Sequence, residues 1–448
     1  MKSRSILIVL FFAFLTITSA KEIEVAAGQG GIGNAYATAE AGDIIVLTTS
    51  GGEYIETSTL EITKDITIKA KDGLEVKPTI FTAASFTFSI TTGGLNVDGI
   101  IFNGVFHGNP ITAYPFKIKT PSEINSNDFS LRINNCEIKN FIKSNGKGIF
   151  SSDATKSPLD SIIVTNTIFD NITAYAIYLK TTKKAVYPGS YKYLKWENCL
   201  ITNVFGDDGM VCFIESADKE STDVPTIFIN HITAMGMRAR GIYVPDVGGT
   251  VIQNTIVADV GAGNQDSSLA SYAILATKGT NPNAVSTTVQ NCLIWESLKS
   301  VEADNVIGLL NADPMFADTA NGDYTLLSSS PGKSAGTDGL DLGYIPSGLP
   351  TSVEKTDLNI PENIILFQNY PNPFNPTTNI QFAIPQNGFV TLKVFNVLGE
   401  EVTELINKEL VSGTYNVNFD ASKLTSGIYF YTLTSGNYVQ TKKMMLLE

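Results

Sequence analysis

The residues best suited to chemistry in this 448-residue chain crowd into one stretch. Between 175 and 196 stand Tyr175, Tyr178, Tyr187, Tyr191, Tyr193 and Trp196, among Lys180, Lys183, Lys184, Lys192 and Lys195. Aromatic rings can stack on sugar rings, and ammonium groups can meet carboxylate or sulfate, so the mixture suits an acidic carbohydrate. The same composition also fits a solvated loop with some core-facing aromatics. Tyr178, Lys183, Lys184, Tyr187, Tyr191, Lys195 and Tyr243 are the substrate-binding candidates. Lys180, Arg238 and Arg240 are the candidate bases. Asp207, Asp208, Glu215 and Asp246 supply the hard oxygen ligands that Ca²⁺ takes, and no other cofactor is indicated.

The composition limits what such residues can serve. At 17% charged and 43% hydrophobic the chain is not a disordered polyelectrolyte. A net charge of -13 excludes a general nucleic-acid binder, which needs clustered Lys and Arg. Richness in Gly, Tyr and Phe with two Trp and two His fits many short strands. The first twenty residues read as an export signal. Lys2 and Arg4 precede the apolar run Ile6 to Leu15, and Thr18-Ser19-Ala20 predicts cleavage before Lys21. Losing Lys2 and Arg4 takes the charge from -13 to -15. No further segment reads as membrane-spanning, and a monomer is expected.

The elements that must position these residues form a repeat. Its copies are LRINNCEIKN (131–140), IIVTNTIFDN (162–171), LKWENCLITN (194–203), TIFINHITAM (226–235), TVIQNTIVAD (250–259) and TTVQNCLIWE (287–296). A shared Asn falls at 135, 166, 198, 230, 254 and 291, with Asp98 in that slot of an earlier copy. A second column follows at Asn103, Asn140, Asn171, Asn203 and Asp259. Another strand recurs about fourteen residues on, at 148–150, 176–179, 210–213, 241–244 and 273–276, and loops of variable length follow it. A stack of strand, Asn turn, strand and loop resembles the right-handed parallel β-helix proteins, with about eight or nine coils. The Asn columns are read as structural ladders rather than a ligand site. Cys136, Cys199 and Cys292 share the inward position after the Asn, with Thr167, His231 and Thr255 in other coils. Two coils separate Cys136 from Cys199, roughly 9–10 Å, beyond disulfide reach, so free buried thiols are predicted. His231 reads as a core imidazole rather than a base. Phe150, Tyr178, Cys212 and Tyr243 form an expected outward column, either a stacking platform or ground covered by the loops.

Both ends carry signals. Residues 32–54 hold a short helical segment, Ala-Gly-Asp and an apolar strand, resembling the opening cap of secreted β-helices. Residues 313–343 resemble a closing segment of bacterial secreted β-helices, through Asp313-Pro314-x-Phe316, Gly322-Asp323-Tyr324-x-Leu326, Ser330-Pro331, Gly336 and Asp341-x-Gly343. The expected division is a signal (1–20), a capped β-helix (21–344), a Pro-rich linker (345–363) and a final domain (364–448). The last alternates apolar and polar residues in short strands, which predicts a small antiparallel β-sandwich. It closely resembles the type A C-terminal sorting domain of type IX secretion cargo. The matching residues are Asn369-Tyr370-Pro371-Asn372-Pro373-Phe374-Asn375-Pro376, Val397-Leu398-Gly399-x-x-Val402, Leu424-x-x-Gly427-Ile428-Tyr429 and Lys442-Lys443. The resemblance implies engagement of the type IX machinery, passage across the outer membrane, removal of the domain, and attachment at the surface or release.

Two functional classes follow. One is an exported β-helix engaging extracellular polysaccharide through its face and loops, or serving as a non-catalytic adhesive or structural surface protein. The other is a polysaccharide lyase. Uronate lyases of the β-helix class use a Lys or Arg base and neutralise the carboxylate, often with Ca²⁺. The Asn-Lys-Ser signature of alginate and chondroitin lyases is missing. Gly206-Asp207-Asp208 resembles the paired acids of polygalacturonases, but that family's Asn-Thr-Asp, Gly-His-Gly and Arg-x-Lys elements are missing, so a lyase is favoured over a hydrolase.

Overall fold

A computed structural model describes residues 20–448 except 83–87, 91–92, 111–114, 119–129, 143–149, 153–158, 181–190, 216–225, 262–271, 280–283, 347–363, 370–371, 373, 385–387, 411–412, 437 and 448. The chain forms two units, Met1–Pro346 and Ser347–Glu448.

The first unit is a parallel β-helix of three sheets. The first sheet's inward column reads Ile23, Ile45, Ile68, Val97, Ile133, Val164, Trp196, Ile229, Ile252, Val289 and Val306, each the register partner of the next. That is eleven rungs, not eight or nine, because the earliest and latest coils lack the Asn that marks the others. The second sheet stacks Tyr54, Ile80, Phe102, Ile138, Phe169, Ile201, Ala234, Val257 and Ile294. The third runs through Leu60, Phe88, Phe116, Phe150, Ile177, Cys212, Ile242, Ile274 and Val301. Period-two alternation sends one residue in two to a common core along each sheet. Helix α1 (Gly31–Thr38) sits in the first coil, as the opening-cap signal predicts, and buries Ile32, Ala35 and Tyr36. The Glu56 carboxylate accepts from the Ile32 and Gly33 N–H at 2.8 and 3.4 Å, satisfying the helix start from the next coil.

The corner between the first and second sheets explains the Asn repeat. Gly99, Asn135, Asn166, Asn198, His231, Asn254, Asn291 and Gly308 all have positive φ, between 46° and 70°. This left-handed conformation favours Gly and, among other residues, Asn, Asp and His. Two register corrections follow. His231, with φ 51°, occupies the corner, and Asn230 lies one residue before it, paired with Glu197. Asp98 likewise precedes the corner, which Gly99 makes. The second corner is built the same way by Asn140, Asn171, Asn203, Gly236, Asp259 and Glu296, while Asn103 lies one position ahead.

The ladder itself is mixed. Asn198 Nδ2 donates to Asn166 Oδ1 at 2.8 Å, but Asn166 donates to Asn134 and Asn254 to Asn230, both at 3.0 Å. The residue before the corner completes it: Gln290 donates to Gln253 at 2.6 Å, and Asn134 to Asp98 at 2.9 Å. One place after the corner, Thr167 and Thr255 hydroxyls donate to the carbonyl two residues back at 2.8 Å. Cys136, Cys199 and Cys292 thiols make the same contact at 3.1–3.3 Å. The slot therefore accepts either donor. Ile232, not His231, fills it in the remaining coil.

Residues 313–345 do not close the end of the solenoid. They run back along its side. A hairpin of Phe316–Asp318 and Asp323–Leu326 leads in, and Leu326 and Leu342 pack on Ile256 and Leu293 of the second sheet. The returning chain bonds the corner side chains in turn. Ala335 O accepts from Asn291 at 2.8 Å, and Thr337 N donates to Asn254 Oδ1 at 2.7 Å. Buried His231 places Nε2 2.8 Å from Asp338 Oδ2 and Nδ1 3.1 Å from Gly343 O. Asn198 exchanges two bonds with Ile345, at 2.8 and 3.0 Å. Burial raises the Asp338 carboxyl, but the His231 hydrogen bond and charge, with the backbone N–H groups of Leu340 and Asp338, together leave it lowered. At the far end Val306, in the inward column, remains 44% exposed.

All four thiols are buried and free, and burial pushes Cys136, Cys212 and Cys292 up to about 12, with Cys199 also strongly raised. The native protein is expected to show no thiol titration with a disulfide reagent at pH 8, and four thiols after denaturation. Fewer than four would mean a bridge this register forbids. Asn198 is both a left-handed corner and a two-bond clip. Asn198→Ala is therefore expected to destabilise by about 2–4 kcal/mol, and Asn198→Gly by roughly half of that because it keeps the corner. Urea melts of the two variants give the comparison.

Candidate functional site

The three outer faces differ in what they leave open. On the first sheet the polar ladder occupies the surface. Lys195 stands there and forms an ion pair with Glu197, which also accepts from Asn230 at 3.0 Å. Its ammonium is thus already neutralised, and Tyr191 begins the same strand. On the second sheet the returning segment covers Ile256 and Leu293, and Tyr344 N donates to Thr233 Oγ1 at 2.8 Å. The third sheet carries a cluster of aromatic and charged side chains in which Arg240, Tyr243 and Tyr272 are half-buried and Lys299 and Glu302 are exposed.

That cluster grows from strands Arg240–Val244, Tyr272–Ala276 and Lys299–Ala303, stacked in this order. The Arg240 guanidinium lies 4.4 Å from the Tyr243 ring centroid, and the Lys299 ammonium lies 4.8 Å from that of Tyr272. Tyr272 also bonds Glu302, and that hydrogen bond, with smaller help from burial and negative charge, raises its phenol. Gly241 permits the close approach of these strands, because a Cβ there would stand 2.1 Å from the Ala273 carbonyl oxygen. The result is an outward strip of two tyrosines, two cations and one carboxylate. It can stack on a ring and pair with an anion.

The register corrects the expected outward column. Phe150, Ile177, Cys212 and Ile242 are mutual partners, and Ile177, Cys212 and Ile242 are fully buried. Tyr178 and Tyr243 do share a row, but with Ser151 and Phe213, one place on from Phe150 and Cys212. The physical reason is a change in spacing. Four residues, Gly206-Asp207-Asp208-Gly209, stand opposite the single residue Ala174, which resets Cys212 against Ile177.

The remaining candidates scatter. Lys180 is the register partner of Glu215 at the end of the third-sheet strands. Arg238 is exposed at the corner before Arg240, its N–H donating to Val204 O at 3.3 Å. Asp207 and Asp208 belong to the insertion at that same corner one coil earlier in sequence. Asp246 makes a positive-φ turn beyond the third sheet, with its carboxylate packed over Gly279. Lys183, Lys184 and Tyr187 lie outside the described residues. The backbone therefore brings together Lys180 with Glu215 and Arg240 with Tyr243, but not the whole set. Among the described residues no group of three or more His, Cys, Asp or Glu is placed to hold a metal ion. Tyr272, Lys299 and Glu302 escape the sequence reading because KSVEA (299–303) carries no Asn and little apolar alternation. The offset from AILA at 273–276 is the signal that points to it.

The second unit is a separate antiparallel body. One sheet holds Ile365–Leu366, Thr377–Ile384 and Gly413–Asp420, the other Glu401–Leu410, Gly388–Phe395, Gly427–Ser435 and Tyr438–Leu446. Its motif residues are mostly structural. Asn369 is buried, its N–H donating to the Tyr431 hydroxyl at 2.8 Å and its Nδ2 to Thr378 at 3.0 Å. Burial, partly offset by the Asn369 N–H, pushes the Tyr431 phenol up to about 12. Buried Phe374 bonds Met445 O and Leu447 N, each at 2.9 Å. Val397 and Leu398, by contrast, are 65% and 79% exposed on a turn that Asn396 holds. Tyr370, Pro371 and Pro373 lie outside the described residues.

Residues 368–447 match the secretion system C-terminal sorting domain family. The carboxy-terminal unit is thus a type IX sorting domain, and the chain is type IX secretion cargo, destined for the cell surface or for release. No curated protein matches the chain. Among solved structures, a PL6 family alginate lyase, AlyGC, matches at a TM-score of 0.41 and 20% identity, covering 65% of this chain and 37% of that one. A mutant of AlyGC gives 0.43 and 18%, covering 66% and 38%. This chain therefore spans well under half the length of those enzymes. Among the described residues no helix is long and apolar enough to cross a membrane.

Deleting 364–448 is expected to abolish surface delivery and leave the β-helix in the periplasm. Fractionation of cells carrying the truncation reads this directly, and undiminished surface signal would contradict it.

Proposed function

We propose that the exported β-helix engages an acidic extracellular polysaccharide along the outer face of its third sheet. The observation that carries this reading is the paired stacking of Arg240 on Tyr243 and Lys299 on Tyr272, in a chain whose net charge is otherwise -13. Tyr272 and Lys299 are register partners, and strand Arg240–Val244 pairs with strand Tyr272–Ala276, so the two cations rise from strands two rungs apart, roughly 9–10 Å between backbones. The two pairs place a cation beside a ring twice along one sheet. An extended polymer of uronic acids or sulfated sugars has the complementary repeat of anion and ring. Tyr178 continues the Tyr243 row towards the first coils, and Lys180 follows it.

The alternative is β-elimination, which requires a base and neutralisation of the uronate carboxylate. Lys180 and Arg240 are the candidate bases on this sheet, and Ca²⁺ held by Asp207, Asp208 or Glu215 would supply the neutralisation. The binding reading needs neither.

The mature chain is expected to be retarded in gels containing alginate, pectate or chondroitin sulfate, and not in gels of neutral glucan. Arg240→Ala is expected to weaken retention about tenfold, as loss of a charge-assisted contact does, and adding Lys299→Ala to weaken it further. Unchanged retention in the double variant removes the third sheet as the site. Growth of the ultraviolet signal of unsaturated products, lost in Lys180→Ala or Arg240→Ala, would establish the lyase instead.

A further inference from the structure

We propose that Asp43 is a receptor for the amino terminus created when the export signal is removed, so that processing itself locks the first coil. The inference rests on cleavage before Lys21, the position read from Thr18-Ser19-Ala20. Lys21 N lies 2.9 Å from Asp43 Oδ1, while its carbonyl accepts the Ile44 N–H at 2.9 Å. The nitrogen is therefore fixed from both sides at the exact start of the first strand pair, Glu22 with Ile44. Asp43 is only 7% exposed, and its second oxygen accepts the Glu40 N–H at 2.8 Å, so the carboxylate is oriented independently of Lys21. Those two backbone bonds hold its carboxyl below the usual carboxylate range.

Before cleavage the group facing Asp43 is a neutral amide with one hydrogen. Hydrolysis of the Ala20–Lys21 bond gives the hydroxyl of water to the Ala20 acyl carbon and its hydrogen to the Lys21 nitrogen. The proton of the new acid then passes to the amine, leaving a carboxylate on Ala20 and an α-ammonium on Lys21. The α-amino group ordinarily titrates near 7.7–8.0, so it is charged at neutral pH. A half-open cleft of about 340 Å³ bounded by Ala20, Lys21, Thr38, Glu40 and Asp43 leaves room at that nitrogen for the two added hydrogens and their water. Two side-chain cations reach Asp43 in either form of the chain, those of Lys21 and Lys64, and Lys64 is committed elsewhere: its ammonium donates to the Ala39 carbonyl and lies 4.6 Å from the Tyr36 ring centroid. The pair thus joins the strand that opens the solenoid to the turn after α1, where the first coil has no rung on its outer side.

The test compares the chain beginning at Lys21 with the chain beginning at Ser19, each released from a cleavable fusion with both units present. Hydrogen exchange of the peptide covering 40–48 is expected to be about tenfold slower in the Lys21 form, the usual advantage of a charged over a neutral donor. In Asp43→Asn the two forms are expected to exchange alike. Equal protection in the two native forms overturns the proposal, and needs no substitution that could unfold the coil. A difference that persists in Asp43→Asn also overturns it, because extension would then act by bulk. Amino-terminal sequencing of the secreted protein that begins anywhere but Lys21 overturns it as well.

Discussion

Each coil of this protein must turn at the same place, and the left-handed corner is how it does so. A parallel stack shares hydrogen bonds between every coil and the next, so a corner displaced by one residue would send a whole inward column to the surface. The chain meets this with Gly or Asn at almost every first corner and tolerates His231 once. Everything else hangs on that repeat: the inward column from Ile23 to Val306, the thiol or hydroxyl that bonds back after the turn, and the polar ladder before it. His231 shows the cost of departing from Asn. Its buried ring needs partners on both nitrogens, and Asp338 and Gly343 of the returning segment supply them.

The corner also decides which surface remains for a ligand. The Asn198, His231, Asn254 and Asn291 side chains at the first corner bond the segment 335–345, so they serve as clips for it rather than as a binding row. That segment covers part of the second sheet, and the polar ladder with the Lys195–Glu197 pair fills the first. The third sheet is left, with rings and cations in register. Function on this scaffold is therefore a matter of which face the chain does not use to hold itself together. The same logic separates the two units: the sorting domain spends its Asn369, Phe374 and Tyr431 on its own packing and exposes Val397 and Leu398.

Charge is distributed by the same economy. Lys195, which looked available for an anion, is neutralised by a neighbour two residues away. Arg240 and Lys299 are held against rings, where a cation keeps its charge and gains about 0.5–1 kcal/mol from the ring face at an exposed site. Asp43 is oriented by the backbone N–H groups of Glu40 and Lys21, at the first residue of the first strand pair.

By itself the sequence determined the solenoid, its opening helix, the buried thiols and the sorting domain, because each is written as a local period or a dense motif. Asn at 135, 166 and 198 states both the corner and the repeat length, since few other residues accept that backbone. It was misread by one place at Asn230, where two polar residues stand together and only the pairing of Asn230 with Glu197 distinguishes corner from ladder. Spacing also fails to give the row of Cys212, because the inserted residues 206–209 change the phase of the strand after them. Tertiary structure alone decided that 313–345 runs along the side of the helix, and that Arg240, Tyr243, Tyr272 and Lys299 meet. The contacts of 313–345 and that of Lys299 with Tyr272 join residues whose separation depends on loop lengths, and loop lengths carry no period. What lies within a coil is legible from spacing; what lies between coils is fixed only when the strands pair.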